Sequence, residues 1–219
     1  MYDLILFDLD GTLTDSAPGI TRCVQYALAR LGIEESDLDK LRPFVGPPLV
    51  DSFKAYYRMN DRDAALARDY YRERFASVGL YENAVYPGVE ALLECLRQAG
   101  TKMVIATSKP TVYTVKILEH FGLSRYFAAV VGSNLDNTRV AKGEVIAAAL
   151  EEAGCRDGSK VVMVGDREHD VIGARENGIA VIAVGYGYGS PEELAAAAPD
   201  YTVPTVAALQ ELLCGLTAR

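Results

Sequence analysis

Short runs of β-branched and small apolar residues recur in the second half of the chain: Met103 to Thr107, Ala128 to Gly132, Val161 to Gly165 and Ala180 to Val184. Runs this short, with no polar alternation, fit strands buried on both faces, as in a parallel sheet. Between them, segments of helical spacing cover 89–99, 112–121, 142–153 and 170–177, and Gly100, Gly122, Gly154 and Gly178 follow them closely. A glycine there ends a helix by entering the left-handed region at no steric cost. Strand and helix alternate, which predicts a doubly wound, Rossmann-like α/β parallel sheet with right-handed crossovers. Leu4 to Asp8, with Asp8 as its last residue, predicts one more strand of that sheet.

Residues 15–85 break the alternation. Helical patterns around 19–31, 50–57 and 61–78 come without a convincing strand, and RPFVGPPL (Arg42 to Leu49) interrupts them. The predicted organisation is an α/β core of residues 1–14 and 86–219, with a helical insertion of residues 15–85 after the first strand. An insertion at that point sits over the carboxyl ends of the strands, where open α/β sheets bind ligands. The alanine run Ala195 to Ala198 reads as helix, and no internal repeat is present.

Composition narrows the function. Half of the 219 residues are hydrophobic, so a substantial core is expected, and the net charge of −8 argues against a nucleic-acid polymer as partner. Anion binding must then come from a local cluster of lysine, arginine, backbone amides or metal. No apolar run approaches the roughly 20 residues that span a bilayer, so no membrane partner is expected. The N-terminal apolar run carries acids and no basic leader, unlike a secretory signal. Cys23, Cys95, Cys155 and Cys214 are scattered without a CxxC pair, which suggests neither zinc nor a disulfide framework but reduced thiols in a cytoplasmic protein.

The candidate chemistry gathers at strand ends. In LILFDLDGTLTDS, Asp8 and Asp10 stand two residues apart, and on an extended backbone they face one side. Two carboxylates in one volume call for a cation or a shared proton. Taken alone, the stretch reads equally as a polar strand end with an Asp-Gly turn. Thr107 and Ser108 end the next strand, Lys142 opens a helix, and Asp166 ends VVMVG with Asp170 four residues on, one turn into a helix. Three strand-end acids, a hydroxyl and a lysine converging on one sheet edge fit phosphoryl transfer through a covalent aspartyl phosphate. A carboxylate attacking a phosphate dianion needs a cation, and Mg²⁺ takes oxygen ligands from one or two carboxylates, here Asp8 and Asp166. Lys142 would neutralise phosphate charge and Thr107 would hydrogen-bond a phosphoryl oxygen. Backbone amides after Asp8 would complete the cradle, with Gly11 allowing the tight turn. Asp10 is left as general acid and then base.

DLDGTLTDS, ATSKP, Lys142 and GDREHD match in order and spacing the four motifs of the haloacid dehalogenase superfamily. The chain resembles its phosphatases, in the branch similar to phosphoglycolate phosphatases and bacterial 5′-nucleotidases. The resemblance spans nearly the whole chain, including VYPGV and GYGS. It implies Asp8 as nucleophile, Asp10 as acid/base with its backbone carbonyl on the metal, Mg²⁺ as cofactor and Asp166 as metal ligand supported by Asp170. It also implies that the insertion is a cap closing over a small phosphate monoester.

Three other activities compete. True dehalogenases of the superfamily lack the second aspartate, so Asp10 speaks for phosphoryl chemistry; a sugar phosphomutase shares Asp10 and the cap. Phospho-accepting receiver domains accept phosphate on a middle strand and have no large insertion after the first. For the substrate, Arg42, Gly46 and Lys54 are the cap candidates beside Ser108 and Gly11 in the core. GPPL resembles the 5′-nucleotidase-like branch. A nucleotide base would need an apolar or stacking surface such as Phe44 or Phe53, and phosphoglycolate a cationic one. The sequence does not give the oligomeric state.

Overall fold

The computed structural model describes residues 2–136 and 138–217. The chain divides into two compact units, residues 1–14 with 85–219 and residues 15–84. Strands β1 (Leu4–Phe7), β4 (Lys102–Pro110), β5 (Ala129–Ser133), β6 (Val161–Gly165), β7 (Ala180–Val184) and β8 (Tyr201–Val203) build the sheet of the first unit in the order β5-β4-β1-β6-β7-β8. Every neighbouring pair is parallel. Two further strands of two residues each, β2 (Thr14–Asp15) and β3 (Ala84–Val85), carry the chain out of and back into this unit.

β1 lies in the middle because every residue of it is buried: Leu4 and Leu6 face one core with Val104, Val145, Met163 and Val171, while Ile5 and Phe7 point to the opposite face. Helices α4 (Val89–Gln98), α5 (Thr111–His120), α6 (Lys142–Glu152), α7 (Glu168–Glu176), α8 (Pro191–Ala197) and α9 (Val206–Thr217) complete the unit. From β1 the chain builds β4 and β5 on one side, then returns to lay β6 on the other. Its order reverses at β1, and a crevice forms at the carboxyl ends there.

The structure shifts several predicted boundaries. β4 continues through Lys109 and Pro110, because Pro110 pairs with Ser133 beyond an irregular register at Ala106. α7 begins at Glu168 rather than Asp170, since the Asp170 carboxylate accepts the Arg167 N–H at 3.1 Å and caps the helix from within its first turn. The expectation of reduced thiols is corrected for two of the four cysteines: Cys95 of α4 and Cys214 of α9 are joined as a disulfide across 119 residues, while Cys23 and Cys155 are thiols. Only the packing of two distant helices brings them together, which no local spacing announces.

The second unit is helical: α1 (Ala17–Arg30), a 3-10 turn (Asp39–Phe44), α2 (Leu49–Tyr57), α3 (Asp61–Phe75) and a second 3-10 turn (Gly79–Tyr81). α1 starts two residues before the predicted Gly19, with Pro18 in its first turn, where a missing N–H costs nothing. Gly19 has no room for a side chain, as a Cβ would lie 2.1 Å from the Gly79 carbonyl oxygen. α3 buries Ala64, Ala67, Tyr71 and Phe75 at helical spacing.

Candidate active site

Asp8 leaves β1 with its N–H donated to the Val164 carbonyl at 2.9 Å, so the start of the loop is held in sheet register. Asp166 follows the last residue of β6, and Asp170 lies in the first turn of α7. All three carboxylates are buried, and one oxygen from each lies within 4.8 Å of the others. Lys142, the first residue of α6, places Nζ 2.9 Å from Asp8 Oδ1 and 2.8 Å from Asp170 Oδ1, and donates to the Ala106 carbonyl at 3.2 Å. The expected lysine and these three acids therefore meet in one volume.

Asp10 turns elsewhere. Its side chain is not in the three-acid cluster but pairs with Lys109 Nζ at 2.8 Å, both side chains nearly enclosed. β1 ends at Phe7, so the extended backbone of the same-face argument is not continued through Asp8 and Asp10, and the chain bends. Gly11 makes that bend possible at φ +80°, and a Cβ there would meet Asp166 Oδ2 at 2.0 Å. The Gly11 amide is not an open phosphate donor, because it is committed to the Thr14 carbonyl at 2.8 Å. Its service to the site is shape. Thr107 is buried, and its Oγ1 accepts the Lys109 N–H at 3.3 Å. Ser108 is half-buried, with its carbonyl taken by the Ser133 hydroxyl at 2.8 Å.

Charge sets the site's demand. Four carboxylates (Asp8, Asp10, Asp166, Asp170) share two ammonium groups (Lys109, Lys142), and Arg167, paired with Glu193 at 2.7 Å, adds its charge to the field at Asp166. Burial, then the charges of Asp170 and Asp8, push the Asp166 carboxyl well above the ordinary aspartate range. Burial and the Asp8 charge raise Asp170 too, against the pull of Lys142. For Lys142, burial alone would favour the neutral amine, but Asp170 and Asp8 outweigh it and hold it protonated. Asp10 Oδ1 and Asp166 Oδ1 are buried and accept no hydrogen bond. Hard oxygen donors, orphaned lone pairs and an excess of carboxylates over ammonium groups together fit a divalent cation held by Asp8, Asp166 and Asp170.

Two contributors have no role assigned from the sequence: Lys109, which stands there only within ATSKP, and the loop Gly185 to Gly189, which GYGS overlaps. In that loop Tyr188 N–H donates to Asp166 Oδ2 at 2.7 Å, and the Tyr186 hydroxyl donates to the Thr12 carbonyl at 2.9 Å. In the helical unit, Arg42 is exposed beside Asp39 at 4.0 Å, Lys54 is paired with Asp61, and Gly46 adopts φ +106°. Phe44 and Phe53 are corrected as stacking surfaces. They are buried against each other edge to face at 4.9 Å, and it is Tyr56, 5.5 Å from Phe44, that is exposed.

The Haloacid dehalogenase-like hydrolase family matches residues 5–184. The chain belongs to that family, and the site it carries is that of a phosphoric monoester hydrolase. It is 49% identical over 212 residues to a 5′-nucleotidase of Pseudomonas aeruginosa, covering 97% of this chain and 96% of that one. It is 35% identical to a phosphoglycolate phosphatase of Caulobacter vibrioides, covering 84% and 79%. It is also 38% identical to the tyrosine-protein kinase PtkA of Mycobacterium tuberculosis, over 85% of this chain and 63% of that one. Among solved structures, a predicted phosphatase from Clostridium acetobutylicum superposes with a TM-score of 0.94 at 48% identity, covering 98% of this chain and 99% of that one.

Proposed function

We propose that the chain is a Mg²⁺-dependent phosphatase of a small phosphorylated metabolite, working through a phosphoaspartate on Asp8, with a 5′-nucleotide as its preferred substrate. The observation that carries this reading is the buried triad of Asp8, Asp166 and Asp170 spanned by Lys142. Bound Mg²⁺ supplies the positive charge that lets an anionic nucleophile approach an anionic phosphate. Asp8 attacks phosphorus, the bond to the leaving oxygen breaks, and Asp10 gives the alcohol its proton. Water then attacks the phosphoaspartate, Asp10 takes its proton, and inorganic phosphate leaves with Asp8 restored. Lys142 offsets charge on Asp8 and the phosphoryl oxygens, and the Thr107 hydroxyl donates to one of them.

The nucleotide preference follows the relative of highest quoted identity, named a 5′-nucleotidase. Phosphoglycolate is the second reading, on relatives such as that of Caulobacter vibrioides. We read the helical unit as the cap and selector, with Arg42, Gly46 and Lys54 contributing. Contacts remote from the reacting bond contribute to kcat/KM only for substrates that make them. Initial rates with Mg²⁺ on 5′-nucleotides, 2-phosphoglycolate, hexose phosphates and an aryl phosphate test this. Nucleotides should lead, and Arg42→Ala should lower kcat/KM for them while sparing the aryl phosphate. Equal loss on all substrates would remove the loop from selection. Interconversion of hexose phosphate isomers without phosphate release would replace hydrolase by mutase.

Cation binding has a pH signature. The folded-state value of Asp166 lies above its ordinary 3.8. Stability from such a raised carboxyl is complete below the unfolded value and is lost as pH rises through the folded one. Without a cation the protein should therefore lose this contribution above the ordinary aspartate range, where Mg²⁺ meets least competition from protons. At a hundredfold excess over Kd, Mg²⁺ adds about 2.7 kcal/mol, roughly 5–10 °C in Tm for a chain of this size. Thermal scans in chelator and in Mg²⁺ should show a larger Mg²⁺ shift at pH 8 than at pH 5. An equal shift at both would contradict the assignment.

A further inference from the structure

The loop from Gly185 to Gly189 supplies no carboxylate, yet it touches both Asp166 and the turn that follows Asp10. The Tyr188 N–H donates to Asp166 Oδ2 at 2.7 Å, 22 residues away in sequence. The Tyr186 hydroxyl, with its ring edge to face on Tyr86 at 5.2 Å, donates to the Thr12 carbonyl at 2.9 Å in the turn that follows Asp10. Between the two tyrosines the backbone lies directly on Asp166. A Cβ on Gly187 would stand 2.3 Å from Asp166 Cβ and 2.5 Å from the Gly11 carbonyl oxygen, and one on Gly189 would stand 2.1 Å from the Asp166 carbonyl oxygen. Gly185, in the same loop, differs: a Cβ there meets nothing nearer than the Val203 carbonyl oxygen at 3.6 Å. These glycines are required for space, and only where Asp166 is the neighbour.

We propose that this loop is the positioning element of the cation site: Tyr188 orients the Asp166 carboxylate, Gly187 lets the backbone close on it, and Tyr186 ties the loop to the Gly11–Thr12 turn that follows Asp8 and Asp10. The proposal rests on the reading of Asp166 as a metal ligand. A carboxylate with one oxygen fixed by a backbone N–H leaves the other, Oδ1, free of hydrogen bonds and aimed by the first. Partners of this kind typically change metal affinity by about 10–100-fold when removed.

The test is calorimetric titration of Mg²⁺ into the chelator-treated full chain, with Tm in chelator recorded for each variant. Tyr186→Phe keeps the ring and loses only the hydroxyl. It should weaken Mg²⁺ binding about tenfold, and turnover should fall more at limiting Mg²⁺ than at saturation. Gly187→Ala should weaken binding further, and Gly185→Ala should bind as wild type. If Gly187→Ala does not fold, Tyr186→Phe decides alone. Wild-type affinity in Tyr186→Phe, or a loss of Tm in chelator with no change in affinity, overturns the proposal, provided Asp166→Asn has lost binding. Wild-type affinity in Asp166→Asn instead overturns the ligand assignment itself, and the positioning role with it.

Discussion

Asp8→Asn should reduce phosphate release from every substrate by about 10⁴-fold or more, the scale on which loss of a covalent nucleophile acts. The substitution keeps side-chain volume and polarity but replaces the attacking oxygen with one that cannot carry the phosphoryl group. Unfolding is not the expected route. Lys142 keeps Asp170 at 2.8 Å when Asp8 loses its charge. Asp166 and Asp170 are both pushed up in part by the Asp8 charge, so its removal relieves repulsion in a buried cluster. Tm in chelator should therefore hold or rise while turnover disappears, and Mg²⁺ should bind more weakly. Steady-state rates on an aryl phosphate, with thermal scans on the same samples, check both halves. Substantial residual turnover in a folded Asp8→Asn would exclude the covalent route.

The core was readable because its strands are buried on both faces, and such strands leave uninterrupted apolar runs. Val161 to Gly165 and Ala180 to Val184 match the observed bounds for that reason, and Leu4 to Asp8 overruns the observed strand by one residue. The final strand left no comparable trace: β8 is three residues at the sheet edge, with Tyr201 and Thr202 exposed. α9 had a usable signal in Val206, Leu209 and Leu213, which are buried at helical spacing, but no motif drew attention to it.

At the site, the sequence indicates the residue types and where they stand, since Asp8 and Asp166 follow apolar runs and Lys142 and Asp170 fall in the first turns of helices. It could not indicate where the side chains point once the backbone leaves the strand. The pairing of Asp10 with Lys109 is of this kind. Phe44 and Phe53 failed as surface candidates for a related reason. In a helical unit of 70 residues, large aromatics are the most effective core, and both are taken for it. GYGS, which overlaps the Gly185 to Gly189 loop, was legible only as part of the resemblance, because the loop's service comes through a backbone N–H and absent side chains.

Asp10→Asn divides the reaction at its proton transfers. An alkyl phosphate leaves as a strongly basic alkoxide unless it is protonated, so its turnover should fall by about 10²–10⁴-fold. An aryl phosphate has a leaving group that needs little help, so Asp8 should still be phosphorylated. The attacking water then lacks its base, and phosphoaspartate should accumulate. Acid quench and intact mass should show one added phosphoryl group on Asp10→Asn, and none on Asp8→Asn. Lys109 gives an independent check, because its Nζ lies 2.8 Å from Asp10 Oδ2 and anchors that side chain. Lys109→Met should reproduce the same bias in milder form, with a greater loss on the alkyl than on the aryl substrate, because an unanchored Asp10 meets the leaving oxygen less often. Equal losses on both substrates, with no trapped phosphoenzyme in Asp10→Asn, would assign proton transfer to another group and reduce the Asp10–Lys109 pair to a structural contact.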